Sequence, residues 1–129
     1  PFKEVRAETR RRGGGMVEID RISAEIIDCS IRIHRDLGPG LLESVYETVL
    51  AASLLRQGMK VDRQRPIDIE FEGMKFPAAF RADLIVEDSL IVEIKSVDLL
   101  SKVHAKQTLT YLRLMRLQVG LLLNLVERR

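Results

Sequence analysis

The stretch FRADLIVEDSLIVEIK, residues 80–95, decides how this chain is read. Two short apolar runs, Phe80 to Val86 and Leu90 to Ile94, flank Glu87, Asp88 and Ser89, which predicts two antiparallel strands around a tight loop. If Val86 pairs with Leu90, counting back sets Asp83 opposite Glu93 and Arg81 opposite Lys95. Side chains alternate along a strand, so one face gathers Arg81, Asp83, Ile85, Ile91, Glu93 and Lys95 and the other Ala82, Leu84, Val86, Leu90, Val92 and Ile94. The second face is wholly apolar and belongs in a core. The first passes from Ile85 and Ile91 to a carboxylate pair and then to a basic pair.

Upstream of this hairpin the period is helical. From Ile19, apolar residues recur at Ile22, Ile26, Cys29 and Ile33, one face of a helix that makes Cys29 a core residue; Gly38 and Pro39 stop it. In GLLESVYETVLAASLLRQG, residues 40–58, Leu42, Val45, Val49, Leu50, Ala52 and Leu54 predict a second helix with a broad apolar face, closed by Gly58. Ile67, Ile69 and Phe71 then alternate with Asp68, Glu70 and Glu72, a half-exposed strand turning at Glu72-Gly73. Downstream, a third helix is expected from about Ser101 to Leu117. VGLLLNLV, residues 119–126, is short and almost wholly apolar, which suggests a buried strand. The predicted order is α-α-β-β-β-α-β, with no internal repeat.

The chain has 129 residues, the size of one domain. Apolar residues make up 46% and charged residues 31%, the balance of a water-soluble globular protein. No run approaches the roughly 18 apolar residues of a membrane span, and the N-terminal segment carries charge where a signal peptide would be apolar, so a cytoplasmic protein with no membrane partner is expected. One cysteine excludes an intrachain disulfide, and with two scattered histidines a Cys/His zinc site is improbable, so a metal here would be held by oxygen. Residues 1–15 carry five Lys/Arg against two Glu, and therefore +3 of the net +2. Residues 1–15 read as a flexible basic arm, an upstream extension or a cloning remnant, with Met16 a natural start; residues 16–129 read as one domain of net charge −1.

Opposed carboxylates in a strand ladder are destabilising unless something compensates. A hard divalent cation would, because Mg²⁺ takes oxygen ligands and often uses only one or two protein carboxylates. Lys95, on the same face as Glu93, could then steady a water or a phosphate oxygen. The competing reading is an ion-pair cluster of Arg81, Asp83, Glu93 and Lys95 on an exposed sheet face. On the third helix Val103, Gln107, Tyr111 and Leu114 form one stripe, so a glutamine in need of partners interrupts an otherwise apolar face. Glu43 sits at N3 if Gly40 is the N-cap, where the helix dipole and reciprocal capping favour it without any function. Tyr46 lies near the same face, and His104 could face solvent.

Taken together, GLLESVYE, RADLIVEDSLIVEIK and QTLTY resemble the small bacterial and archaeal proteins named for a Gly-x-x-Glu-x-x-Tyr motif, here Gly40, Glu43 and Tyr46. That GxxExxY family is placed within the PD-(D/E)xK nuclease superfamily, and the resemblance spans about residues 19–126. It implies an α/β, restriction-endonuclease-like core: a mixed four-stranded sheet flanked by helices. The metal ligands would be Asp83, Glu93, the Ile94 carbonyl and Glu43, which would take the place of the superfamily's first-helix acid. The catalytic set would be Asp83, Glu93, Lys95, Gln107 and Glu43, with Tyr111, Arg81 and Tyr46 contacting substrate. Gln107 and Tyr111 match the Gln-x-x-x-Tyr motif of the recombination-exonuclease branch; Ala82 replaces the superfamily's proline, a position that supplies no ligand. The implied activity is phosphodiester hydrolysis with Mg²⁺ or Mn²⁺ on nucleic acid, DNA being the expected substrate, and a homodimer would supply a second cut. The alternative is a catalytically silent nucleic-acid or protein-interaction module that keeps the fold.

Overall fold

The computed structural model describes residues 2–3, 17–96, 102–117, 119–125 and 127–128. The elements in chain order are β1 (Phe2–Lys3), α1 (Val17–Leu37), α2 (Glu43–Arg56), β2 (Val61–Phe71), β3 (Met74–Val86), β4 (Leu90–Lys95), α3 (Lys102–Met115), β5 (Val119–Asn124) and β6 (Glu127–Arg128). The main sheet has the order β2-β3-β4-β5, with β2, β3 and β4 antiparallel in turn and β5 parallel to β4. That is the mixed four-stranded sheet expected, in the order α-α-β-β-β-α-β. The two-residue strands β1 and β6 pair antiparallel, an addition that no local pattern announces. Apart from Phe2 and Lys3, the expected basic arm over residues 1–15 lies outside the described residues. Among the described residues no helix is long and apolar enough to cross a membrane.

The sheet has helices on both faces. Against one face lie α1 and α2, whose Ile22, Ile26, Cys29, Ile33, Leu50 and Leu54 join Leu84, Val86, Leu90, Val92 and Ile94 of the hairpin and Leu121 and Leu123 of β5 in the larger core. Cys29 is buried as expected, its thiol donating to Ser53 Oγ at 3.0 Å. The other face carries a smaller cluster, Ala82, Ile85, Ile91 and Leu112, covered by α3. There is no room for a side chain at Gly120 where α3 crosses β5. A Cβ would meet Thr108 Cγ2 at 2.9 Å, Ile91 Cγ2 at 3.0 Å and Leu112 Cδ1 at 3.2 Å.

Several expectations need correction. Helix α2 is apolar almost all round, so its sequence could not choose a face: Tyr46, Glu47, Leu50, Ala51, Ser53 and Leu54 are buried, whereas Leu42 and Val45 are exposed. Its N-cap is Leu42, not Gly40, and Glu43 is the first helical residue, with no side-chain capping bond. In α3 the stripe turns the other way. Thr108 and Leu112 face the sheet, while Val103, Gln107 and Leu114 are exposed, so Gln107 is no buried amide. Strand β3 starts at Met74, earlier than the Phe80 expected, because β2 and β3 continue outward as a two-stranded arm around the Glu72-Gly73 turn, both residues having positive φ. Within the arm Ala78 lies at φ 50°, its N–H donating to Asp68 Oδ1 at 2.7 Å where the register shifts.

Candidate active site

The loop register is as read: Val86 faces Leu90, Ile85 faces Ile91 and Leu84 faces Val92. Beyond Leu84 the β3–β4 ladder ends, and β3 keeps its partner on the other side only, Ala82 facing Arg65 and Arg81 facing Pro66 of β2. At this parting Gln64 of β2 adopts φ 51°, a left-handed conformation uncommon for a residue with a Cβ. The alternation breaks there. Ala82 packs with Ile85 and Ile91 rather than with Leu84 and Val86, and Arg81, expected opposite Lys95, is an exposed side chain bonded to the Gln64 carbonyl at 3.3 Å.

The parting gives Asp83 its geometry. Its Oδ2 accepts the Ile94 N–H at 2.8 Å, in place of a ladder bond, and its Oδ1 accepts from Gln64 Nε2 at 3.1 Å. Gln64 Nε2 also donates to Glu47 Oε1, and Glu47 Oε2 takes Arg63 Nε at 3.2 Å and Nη2 at 3.1 Å. Asp83 is thus oriented from two sides, one backbone and one side-chain relay reaching back to α2. These residues line one cleft of about 460 Å³: Glu43, Ser44 and Glu47 from α2, Arg63 and Gln64 from β2, Asp83 from β3, and Ile94 and Lys95 from β4.

Glu93 is only 7% exposed, and its Oε1 is buried with no hydrogen-bond partner among the described residues. Its pKa is raised to about 8, first by burial and then by Asp83, which repels the anion and accepts a bond from the protonated form; Lys95 pulls the other way but does not win. A buried carboxyl with an unsatisfied oxygen beside a second carboxylate is chemistry that a small divalent cation would fit, and Asp83, Glu93 and the Ile94 carbonyl are the oxygens that could hold one. Among the described residues no three His, Cys, Asp or Glu side chains converge as they would around a closed protein cage. Two carboxylates and a carbonyl still fit Mg²⁺, which keeps several waters.

Tyr111 stacks face to face on Phe80 at 3.8 Å between ring centroids. Its pKa is raised by burial and by the negative charge of Glu93, with the Gln107 side chain opposing the rise. The Gln107–Tyr111 edge of α3 therefore sits within the electrostatic reach of the carboxylates. Glu43 is exposed at the cleft wall. His104 is half-buried on α3 and does not line the cleft. Tyr46 does not fit a substrate contact: it is fully buried, its hydroxyl donates to the Gly38 carbonyl at 2.6 Å and accepts from Leu41 N–H at 3.4 Å, and its ring meets His34 edge-on at 6.0 Å. It fixes the turn that presents Glu43. Glu47, Arg63 and Gln64 were absent from the expected set; the signal for Glu47 was its place one helical turn after Glu43.

Residues 20–129 match the family model described as the PD-(D/E)XK nuclease superfamily. No curated protein and no solved structure matches the chain significantly.

Proposed function

The chain belongs to the PD-(D/E)XK nuclease superfamily, and from that premise we propose that it is a Mg²⁺- or Mn²⁺-dependent nuclease of the GxxExxY type that hydrolyses phosphodiester bonds in DNA. Nucleases of this superfamily generally use such divalent ions. The observation that carries the reading is the parting of β3 from β4. There the Asp83 carboxylate is held by the Ile94 N–H beside a buried Glu93 with an orphaned oxygen, and Lys95 lines the same cleft.

Asp83, Glu93 and the Ile94 carbonyl would hold the cation, whose chemistry when bound is to polarise a phosphodiester oxygen and make water more acidic. The rest falls to the chain. Gln64 and the Ile94 N–H fix the Asp83 carboxylate, so little reorganisation is needed as charge develops. Glu93, its pKa pushed up to about 8 by burial and by Asp83, would ligate a cation as the carboxylate, so binding there would favour loss of its proton to solvent. Lys95 donates to a phosphate oxygen or orients the attacking water, offsetting negative charge that grows on the phosphorus centre. Tyr111, on α3 within electrostatic reach of the carboxylates, and Gln107 on the same edge would steady the substrate on that side, and Glu43 would hold a water at the α2 wall.

Calorimetric titration separates this reading from a silent module that keeps the fold. A single Mn²⁺ site that disappears in Asp83→Ala supports the enzyme. Nucleic-acid binding indifferent to metal, with no Mn²⁺ heat, would sink it.

A further inference from the structure

Helix α3 carries no acidic residue in Lys102–Met115. At about 100° per residue, Lys102, Lys106 and Arg113 fall within roughly 40° of one another, and Arg116 follows just past the helix end. All four are exposed, and none of them is in an ion pair among the described residues. Arg32, Arg56, Lys75, Arg81 and Lys95 also lie outside any ion pair among the described residues, but they are scattered over other elements. Arg21, Arg35, Lys60, Arg63 and Arg65 each face a carboxylate. With a body of net charge −1 beyond residue 15, such a concentration of cations that are unpaired among the described residues on one helix face is local.

The stripe is also placed next to the site. About a third of a turn round the same helix lies the Gln107–Tyr111 edge, and the Tyr111 ring stacks at 3.8 Å on Phe80 of β3, three residues before Asp83. Val103 and Leu114, both exposed, lie between the two edges. From Lys102 to Arg113 the helix rises about 16 Å, which matches roughly five nucleotides at about 3.4 Å per strand step.

We infer that the exposed face of α3 carries the phosphate backbone of the substrate strand past the cleft, with Lys102, Lys106 and Arg113 as sequence-independent phosphate contacts. The inference rests on the nuclease reading of the cleft and names how its substrate is held. The projecting β2–β3 arm is a poor alternative for nucleic acid, because Asp68, Glu70 and Glu72 outnumber its Lys75. That acidic arm from a second copy is the other occupant a basic helix could take, and the test includes it.

Binding is measured by fluorescence anisotropy of a labelled single-stranded and a labelled duplex oligonucleotide, without divalent metal, across a salt series. The proteins are the full chain, Lys106→Gln/Arg113→Gln, and Lys75→Gln as a control, each checked by circular dichroism. Losing two phosphate contacts should lower the slope of log K against log[salt] by about 1.4 for a single strand, a loss of about 25-fold in affinity at 0.1 M salt. Lys75→Gln should bind as the wild type does. An unchanged slope and affinity in the double variant overturns the inference, as does a wild type that binds neither oligonucleotide at 50 mM salt. So does salt-sensitive self-association in sedimentation that the double variant abolishes without any change in oligonucleotide binding. Metal-dependent cleavage with α3 variants that bind normally defeats this inference alone; α3-dependent binding without cleavage defeats the nuclease reading alone.

Discussion

Replacing Glu93 by Gln should stabilise the metal-free protein, and by an amount that depends on pH in a direction fixed by the site. The wild-type carboxyl is buried, and its pKa in the fold is raised from 4.5 to about 8, first by burial and then by Asp83. A group whose folded pKa exceeds its unfolded value binds more protons in the native state. The Glu93 contribution to stability is therefore fully present below about pH 4.5, is lost as pH rises through the window to 8, and changes no further above it. At about 1.4 kcal/mol per pH unit the full loss is up to roughly 5 kcal/mol, and local water entry reduces it to about 2–5 kcal/mol. Glutamine copies the protonated carboxyl, offering an N–H to Asp83 without a titrating proton. Urea unfolding in EDTA, at pH 4.5 and at pH 8.5, should thus show similar stability for the two proteins at the lower pH and an advantage of several kcal/mol for Glu93→Gln at the higher. Adding Mn²⁺ at pH 8.5 should restore the wild type and leave the variant unmoved. Parallel stability curves for the two proteins across the whole pH range would refute the reasoning.

Other outcomes follow from single contacts. Gly120→Ala should cost about 1–3 kcal/mol in urea unfolding, because the new Cβ meets Thr108, Ile91 and Leu112 in a packed seam. Tyr46→Phe leaves the Gly38 carbonyl without its partner and should lose about 1–2 kcal/mol of stability while Mn²⁺ affinity is kept, which calorimetry would show. Glu47→Ala releases Arg63 and Gln64. With Arg63 43% exposed and free to rehydrate, about 1–2 kcal/mol should be lost, along with part of the turnover, since Gln64 no longer orients Asp83 firmly.

Much of the fold was legible because periodicity and burial agree where an element has one apolar face. The Ile22, Ile26, Cys29, Ile33 series and the Leu84 to Ile94 core face needed no tertiary information. The hairpin register was legible too, since a three-residue loop leaves little freedom in pairing Val86 with Leu90. Helix α2 was not, because residues apolar on every side leave the choice of face to packing against the sheet. The site shows the same division. Asp83, Glu93 and Lys95 stood out as charges in apolar strands, yet their disposition depends on the left-handed backbone of Gln64 and the end of the β3–β4 ladder, and a glutamine gives no local sign of either. Glu47 was hidden for a related reason: an acid on a helix reads as solvated until a strand 16 residues later brings Arg63 to it.

The most direct test of the account is cleavage of labelled DNA by the purified chain with Mg²⁺ or Mn²⁺, beside Asp83→Ala, Glu93→Ala and Lys95→Ala proteins of verified fold. The account predicts metal-dependent hydrolysis by the wild type, abolished by EDTA and reduced at least 100-fold in each variant, on the order of what loss of one charge-stabilising group costs. No cleavage of any DNA or RNA form with either metal, or cleavage that survives removal of Asp83 and Glu93, would contradict it.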